Sequence, residues 1–314
     1  MDLISLITSA ILAFVMLGVG ISLDFRNFKH IILRPKSLLL GLSIQVLLLP
    51  IIGIIICSIF PLSPELKIGI ILLSICPGGT TSNFIVYLLN SNTELSIILT
   101  VLSSVLSLFF IPFILNYTIL YYLGVDTIVS IPITDISIQI LLYILIPTLV
   151  GIIIKEKSEK IKYILDKTAI FTILKRKIEL NYLKIITLIL LALMFSIKLF
   201  ADESAGGVGI KSGDFKAILL PVFLLNLIGI LAGFLIPYFT KSSIKNAVSI
   251  SIQIGLQNTT MAFLIATTVL KNNEMQKPAL IYAFFSFWSS ILIIIILKQF
   301  FTRRIRKKAQ LKIS

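Results

Sequence analysis

The sequence predicts an all-α fold, a polytopic bundle of transmembrane helices, and three observations predict it. Hydrophobic residues make up 57% of the 314-residue chain and the mean hydropathy is +1.06, more apolar surface than a water-facing domain has room to bury. Apolar runs of about 20 residues, the length that crosses a bilayer core at helical rise, recur from one end of the chain to the other. Basic residues gather in every second connection between those runs, as alternating spans require. No stretch is left over for a soluble domain, so residues 1–314 read as a single integral membrane domain.

Taken in order, nine spans are expected, at about 4–24, 37–60, 67–89, 95–120, 133–154, 182–200, 216–239, 246–270 and 278–299. Met1-Asp2-Leu3 lacks the basic start of a cleavable signal, so the first run is read as a retained span. Of the 28 Lys and Arg residues, one set of connections holds only Lys67, Lys198, Lys211, Lys216, Lys271 and Lys277. The rest fall between Arg26 and Lys36, between Lys155 and Lys184, at Lys241 and Lys245, and from Lys298 to Lys312. The N-terminus is therefore expected outside and the C-terminal tail in the cytoplasm, in a multi-pass plasma (cell) membrane protein, the inner membrane of a bacterial cell. The net charge of +14 is explained by this anchoring, and no nucleic acid is called for. The lipid bilayer is the expected environment and a monomer the expected state.

The polar groups within the spans say what kind of membrane protein this is. Of the 14 acidic residues only Asp135 falls within a span, at its end, and the lone histidine, His30, lies in a loop. No mid-membrane carboxylate or imidazole is there to relay protons or act as a general base, which argues against an intramembrane enzyme. Cys57 and Cys76 lie in spans without CxxC spacing and indicate neither a disulfide nor a metal centre. An ion site in this chain has to use neutral oxygens.

Two spans concentrate such oxygens. The third reads Cys76-Pro77-Gly78-Gly79-Thr80-Thr81-Ser82-Asn83, where Pro77 removes a backbone donor and the glycines lower the cost of leaving helical geometry. The eighth reads Ser249-Ile250-Ser251-Ile252-Gln253-Ile254-Gly255-Leu256-Gln257-Asn258, polar without a proline. Helix breaks at membrane depth are tolerated only where the backbone is buried or lines a cavity. With the fifth span set aside, each polar span is third in a block of four, in halves of about 1–120 and 133–300 that run in opposite directions. Inverted repeats with interrupted helices are the architecture of many secondary transporters.

At these residues the chain resembles the bile acid:sodium symporter family. Cys76 to Asn83 is similar to that family's CPGGTxSN motif, and Ile254-Gly255-Leu256-Gln257-Asn258 to its E-[VT]-G-x-Q-N motif. Leu95-Ser96 with Thr100, and Arg34-Pro35-Lys36 followed by Gln45, match the neighbouring blocks. The resemblance covers essentially the whole chain, which is similar to a nine-span form lacking the first helix of ten-span members. It implies core and panel domains, two discontinuous crossing helices and two sodium sites behind their crossing. The first would use Ser82, Asn83, Ser96, Thr100 and residue 253. The second would use Gln45, residue 253, Gln257 and the backbone carbonyls of Ile254 and Leu256.

One position departs from the family: Gln253 stands where it has Glu. A carboxylate about 4 Å from a cation attracts it by on the order of 4 kcal/mol at an effective dielectric of 20, so sodium coupling is expected to be weakened. Sodium still bound beside an anionic substrate, a single ion, and no sodium coupling all remain open. Glu94 is a poor substitute, since it points about 160° away from Ser96 on a regular helix.

The expected function is alternating-access transport of a small organic anion, with sodium as the coupling ion. Amides near Thr80 and Thr81 at the start of the second half-helix suit a carboxylate or sulfonate, with Asn258 and Ser289 completing the pocket. Phe284, Phe285, Phe287 and Trp288 are read as packing or lipid-facing aromatics. The competing readings are a sodium-independent or proton-coupled carrier on the same scaffold and a membrane ligand sensor that does not transport.

Overall fold

The computed structural model describes residues 35–124 and 210–310, with isolated positions in 13–17 and 138–154. Among the described residues every regular element is helical, and the one β-type contact is an isolated bridge. Helix α1 runs Pro35–Ile59, with a π turn at Ile44–Leu48. It is followed by α2 (Pro64–Ile75), α3 (Thr80–Leu88), α4 (Thr93–Leu123), α5 (Ser212–Phe239), α6 (Ile244–Gly255), α7 (Thr259–Leu264) and α8 (Asn273–Gln310). A second π turn, Ile265–Val269, follows α7.

Three of these helices, Pro35–Ile59, Ser212–Phe239 and Asn273–Thr302, are long and apolar enough to cross a membrane, and α4 makes a fourth if its bent halves count as one span. They match the spans expected at 37–60, 216–239, 278–299 and 95–120. The halves of α4 meet at 52° around residue 108, where Pro112 cannot return a hydrogen bond to the carbonyl four residues earlier. The spans expected at 67–89 and 246–270 are each split, into α2 with α3 and α6 with α7. Those at 4–24, 133–154 and 182–200 lie outside the described residues, apart from isolated positions.

Each start has a local cause. Ser63 accepts from Leu66 N at 3.4 Å ahead of Pro64 in α2, Asn92 caps α4 through Leu95 N at 3.0 Å and Ser243 caps α6 through Asn246 N at 3.2 Å. Asn258 and Asn272 do the same for Met261 N and Met275 N. Lys277, buried in the first turns of α8, donates to Asp214 at 2.8 Å and Glu274 at 2.5 Å, which ties the start of α8 to that of α5.

The chain divides into two compact units. One comprises residues 1–25, 131–209 and 264–271; its described part is chiefly the π turn after α7. The other carries α1–α6, α8 and residues 259–263, and holds every residue of the candidate site described below. Ile68, Ile70, Leu72 and Leu73 of α2, Val248, Ile250 and Ile252 of α6, and Ile281 and Tyr282 of α8 are buried, so the broken helices form the centre of this unit. The long helices instead expose apolar side chains one turn apart: Phe109, Phe113, Tyr117 and Tyr121 on α4, and Phe284, Trp288, Leu292, Ile296 and Phe300 on α8. Stripes of that length are stable only against lipid or another apolar surface.

Candidate functional site

The site is built where the two breaks meet. Cys76 ends α2 with extended torsions (φ −68°, ψ 147°), because Pro77 has no N–H to continue the ladder. Gly79 leads into α3 at φ −75°, ψ 157°, and Leu256 leaves α6 at φ −107°, ψ 75°. The backbone groups freed by one break are satisfied by the other. Gly79 N donates to Leu256 O at 2.7 Å, Asn258 N donates to Pro77 O at 2.9 Å, and Gly78 pairs antiparallel with Gln257. The two strands approach so closely that a Cβ on Gly78 would lie 2.7 Å from the Gln253 carbonyl oxygen, which makes glycine obligatory there.

Behind this crossing lies a cage of neutral oxygens around Gln253. Its Oε1 accepts from Ser82 Oγ and, at 3.2 Å, from Ser96 Oγ, while its Nε2 donates to Thr100 Oγ1 at 2.8 Å. Asn83 Oδ1 accepts from Ser96 Oγ at 2.7 Å and lies 3.2 Å from Thr100 Oγ1. Ser82, Ser96, Thr100 and Gln253 are all buried. The five side chains that the family resemblance groups in one ion site therefore lie together, and the amide oxygens of Gln253 and Asn83 each accept from hydroxyls of the group.

A second polar group lies on the α1 side. Gln45, in the π turn, donates through Nε2 to Cys76 O at 2.9 Å and to Gln257 Oε1 at 3.0 Å, and Gln257 Nε2 donates to Ile254 O at 2.6 Å. Gln45 is only 4% exposed, yet its Oε1 has no partner. A buried acceptor without a donor costs about 1–3 kcal/mol.

The substrate candidates are less closely grouped. The N-cap of α3 is Gly79, without a side-chain cap, so the first amides, at Thr80 and Thr81, keep their partial positive charge open. Asn258 caps α7 with its side chain. Ser289 instead donates to Asn226 Oδ1 at 2.8 Å. Glu94 is exposed in the first turn of α4, whereas Ser96 is buried, as the helical spacing predicts.

Asn226 is a residue that the sequence reading missed. Its Nδ2 reaches Gly255 O at 2.8 Å, and Tyr282 OH and Ser290 Oγ reach the same carbonyl at 2.8 and 3.2 Å. The last carbonyl of α6 is thus held as Gln45 holds Cys76 O beyond α2. The available signal was a lone amide within the apolar run of α5.

The family model described as the sodium bile acid symporter family matches residues 9–203. A probable chloroplastic sodium/metabolite cotransporter, BASS2, of Oryza sativa subsp. japonica is 27% identical over 272 residues, 85% of this chain and 58% of its own length. A sodium-dependent transporter of Bacillus subtilis (strain 168), YocS, described as uncharacterized, is 26% identical over 297 residues, covering 95% of this chain and 83% of that protein. The human sodium-dependent organic anion transporter is 25% identical over 310 residues, 97% of this chain and 75% of its own. The chain spans about three fifths of the length of the plant relatives it matches. These relatives are named as transporters, not enzymes, and with the family match across residues 9–203 they lead to one conclusion: the chain belongs to the sodium bile acid symporter family.

Proposed function

We propose that this protein is a secondary transporter that carries a small organic anion across the membrane by alternating access. The observation that carries this reading is the backbone seam between the two interrupted helices, Gly79 N to Leu256 O and Asn258 N to Pro77 O, with buried neutral oxygens behind it. The two hydrogen bonds are images of each other under a shift of 179 residues, from Pro77 to Leu256 and from Gly79 to Asn258. That supports an inverted repeat of the kind that places substrate and ions at the helix crossing. The open amides of α3 would receive the anionic group, with Asn258 beside them and Ser289 further along α8.

Sodium is the proposed coupling ion, supported by the names of the relatives and by the open oxygen of Gln45. The saturated cage around Gln253 supports a weaker coupling than the resemblance implies, and it favours a sodium-independent carrier as the second reading. Both are separated by one experiment. Purified protein in liposomes is offered a panel of carboxylates and sulfonates, with an inward sodium gradient and with potassium in its place. Accumulation of an anion establishes transport, and its loss in potassium establishes the coupling ion. Binding of an anion without any accumulation under either gradient would show a sensor and reject the transport reading.

A further inference from the structure

A recess of about 700 Å³ lies where α1, α4 and α6 begin, and Lys36, Asn92, Glu94, Lys241 and Asn246 line it. Small-molecule sites occupy about 300–1,000 Å³, and this one shares no residue with the helix crossing or with the Gln253 cage. Its floor is a chain of hydrogen bonds that runs one way. Asn92 Nδ2 donates to Asn246 Oδ1 at 2.9 Å, Asn246 Nδ2 to Ser37 Oγ at 2.9 Å, and Ser37 Oγ to Ser242 Oγ at 3.3 Å. Ser242 also lines the recess, and its own hydrogen has no acceptor among the described residues. Lys36 gives one hydrogen to Thr240 O at 2.5 Å and keeps two. Lys241 is exposed at φ 64°, a left-handed conformation that favours glycine, and its ammonium has no partner among the described residues. The ion pairs among those residues are those of Lys277, so Glu94 neutralises neither lysine at contact distance. The recess therefore has an excess of donors and of positive charge, reinforced by the helix dipoles of α1, α4 and α6. A multivalent oxyanion satisfies such a lining, whereas an apolar or cationic ligand does not.

We propose that this recess binds one phosphate group, carried either by a soluble phosphate ester or by an anionic lipid headgroup, with Lys36 and Lys241 as its charged contacts and Ser242 as a hydroxyl donor. Both sources are at hand on the side where the basic connections at 26–36 and 241–245 are expected, the cytoplasm. Asn92 lies between α3 and α4 and Ser243 precedes α6, so a bound phosphate ties the near ends of both interrupted spans to the start of α1. The site is independent of the transport reading, because binding is measured without uptake.

Calorimetric titration of the purified full chain in neutral detergent with inorganic pyrophosphate, at constant ionic strength, tests it. One saturable site is expected. Lys36→Gln and Lys241→Gly should each weaken binding by roughly threefold or more, and Glu94→Gln should tighten it by roughly twofold, the range of exposed charge interactions. Lys245→Gln, outside the lining, should leave it unchanged. Because glycine suits the backbone at 241, Lys241→Gly should melt no lower than wild type, so its loss of binding is not a loss of folding. Native mass spectra after incubation with phosphatidylglycerol separate the two sources. One lipid retained by wild type and not by the paired Lys36→Gln and Lys241→Gly variant assigns a headgroup; pyrophosphate binding without retained lipid assigns a soluble phosphate. Neither pyrophosphate binding nor retained lipid, equal affinity in wild type and the paired variant, or an equal loss in Lys245→Gln overturns the proposal.

Discussion

Gln253 Nε2 donates to Thr100 Oγ1 across 2.8 Å, and this single contact separates the cage from one designed around a shared carboxylate. A Glu at the same position would have no hydrogen to give Thr100, and its charge would be buried among hydroxyls and an amide. It would then need a cation to be stable there. With Gln253 in place, the carboxamide is instead held by hydrogen bonds to Ser82, Ser96 and Thr100.

Gln253→Glu should therefore make uptake depend more steeply on sodium. A charge about 4 Å from an ion is worth on the order of 4 kcal/mol at an effective dielectric of 20, and desolvation of the carboxylate cancels part of it. The half-saturating sodium concentration for anion uptake is expected to fall by roughly tenfold or more. Equal sodium dependence in wild type and variant would sink this account of the cage.

Gly78→Ala tests the seam. Its Cβ would meet Gln253 Nε2 as well as the backbone oxygen 2.7 Å away, and the backbone cannot swing aside as a side chain can. A loss of about 1–3 kcal/mol is expected from such overpacking, seen as a lower melting temperature and as loss of transport. Gly213→Ala provides the comparison, because nothing lies within 4 Å of the new methyl group. It should be neutral or slightly stabilising through helix propensity.

How far the sequence reveals this arrangement differs between its parts. The break after α2 is legible because Pro77 and two glycines force it. The break after α6 has no proline and is marked only by amides crowded around Gly255. Cage membership is implied only by the resemblance of residues 76–83 and 254–258 to the family's motifs, whereas the outward direction of Glu94 follows from helical periodicity. The π turn at Gln45 leaves no trace in Ile44-Gln45-Val46-Leu47-Leu48, which is apolar on either side of one amide. The continuation of α8 to Gln310, past the expected end at 299, reflects the absence of any Gly or Pro there.

Asn226→Leu should destabilise the protein more than Tyr282→Phe. Asn226 is the hub of the three donors at Gly255 O: it also donates to Tyr282 OH at 3.1 Å and Ser290 Oγ at 3.2 Å and takes the hydrogen of Ser289 through Oδ1. Its replacement strands Ser289 as well as weakening the hold on the carbonyl. Tyr282→Phe leaves both Asn226 and Ser290 on that oxygen. Costs of about 1–3 kcal/mol for the first and about 1 kcal/mol or less for the second are expected, read as melting temperatures in the same detergent. The reverse order would mean that Tyr282 holds the break.

Topology is the last expectation open to direct measurement. From the basic tail after Phe301 and the sparse positive charge near Lys211, Lys216 and Lys277, the C-terminal end of α8 is expected in the cytoplasm and its start outside. Cys57 and Cys76 are both buried, so the native chain should react slowly with a membrane-impermeant maleimide and give a low background. Lys312→Cys is then expected to be labelled only after the membrane is permeabilised, and Lys271→Cys in intact cells. The two positions flank the single long helix α8, so the pair must differ if that helix spans the membrane. Labelling of both from one side would remove α8 as a span and with it the alternation on which the inverted halves rest.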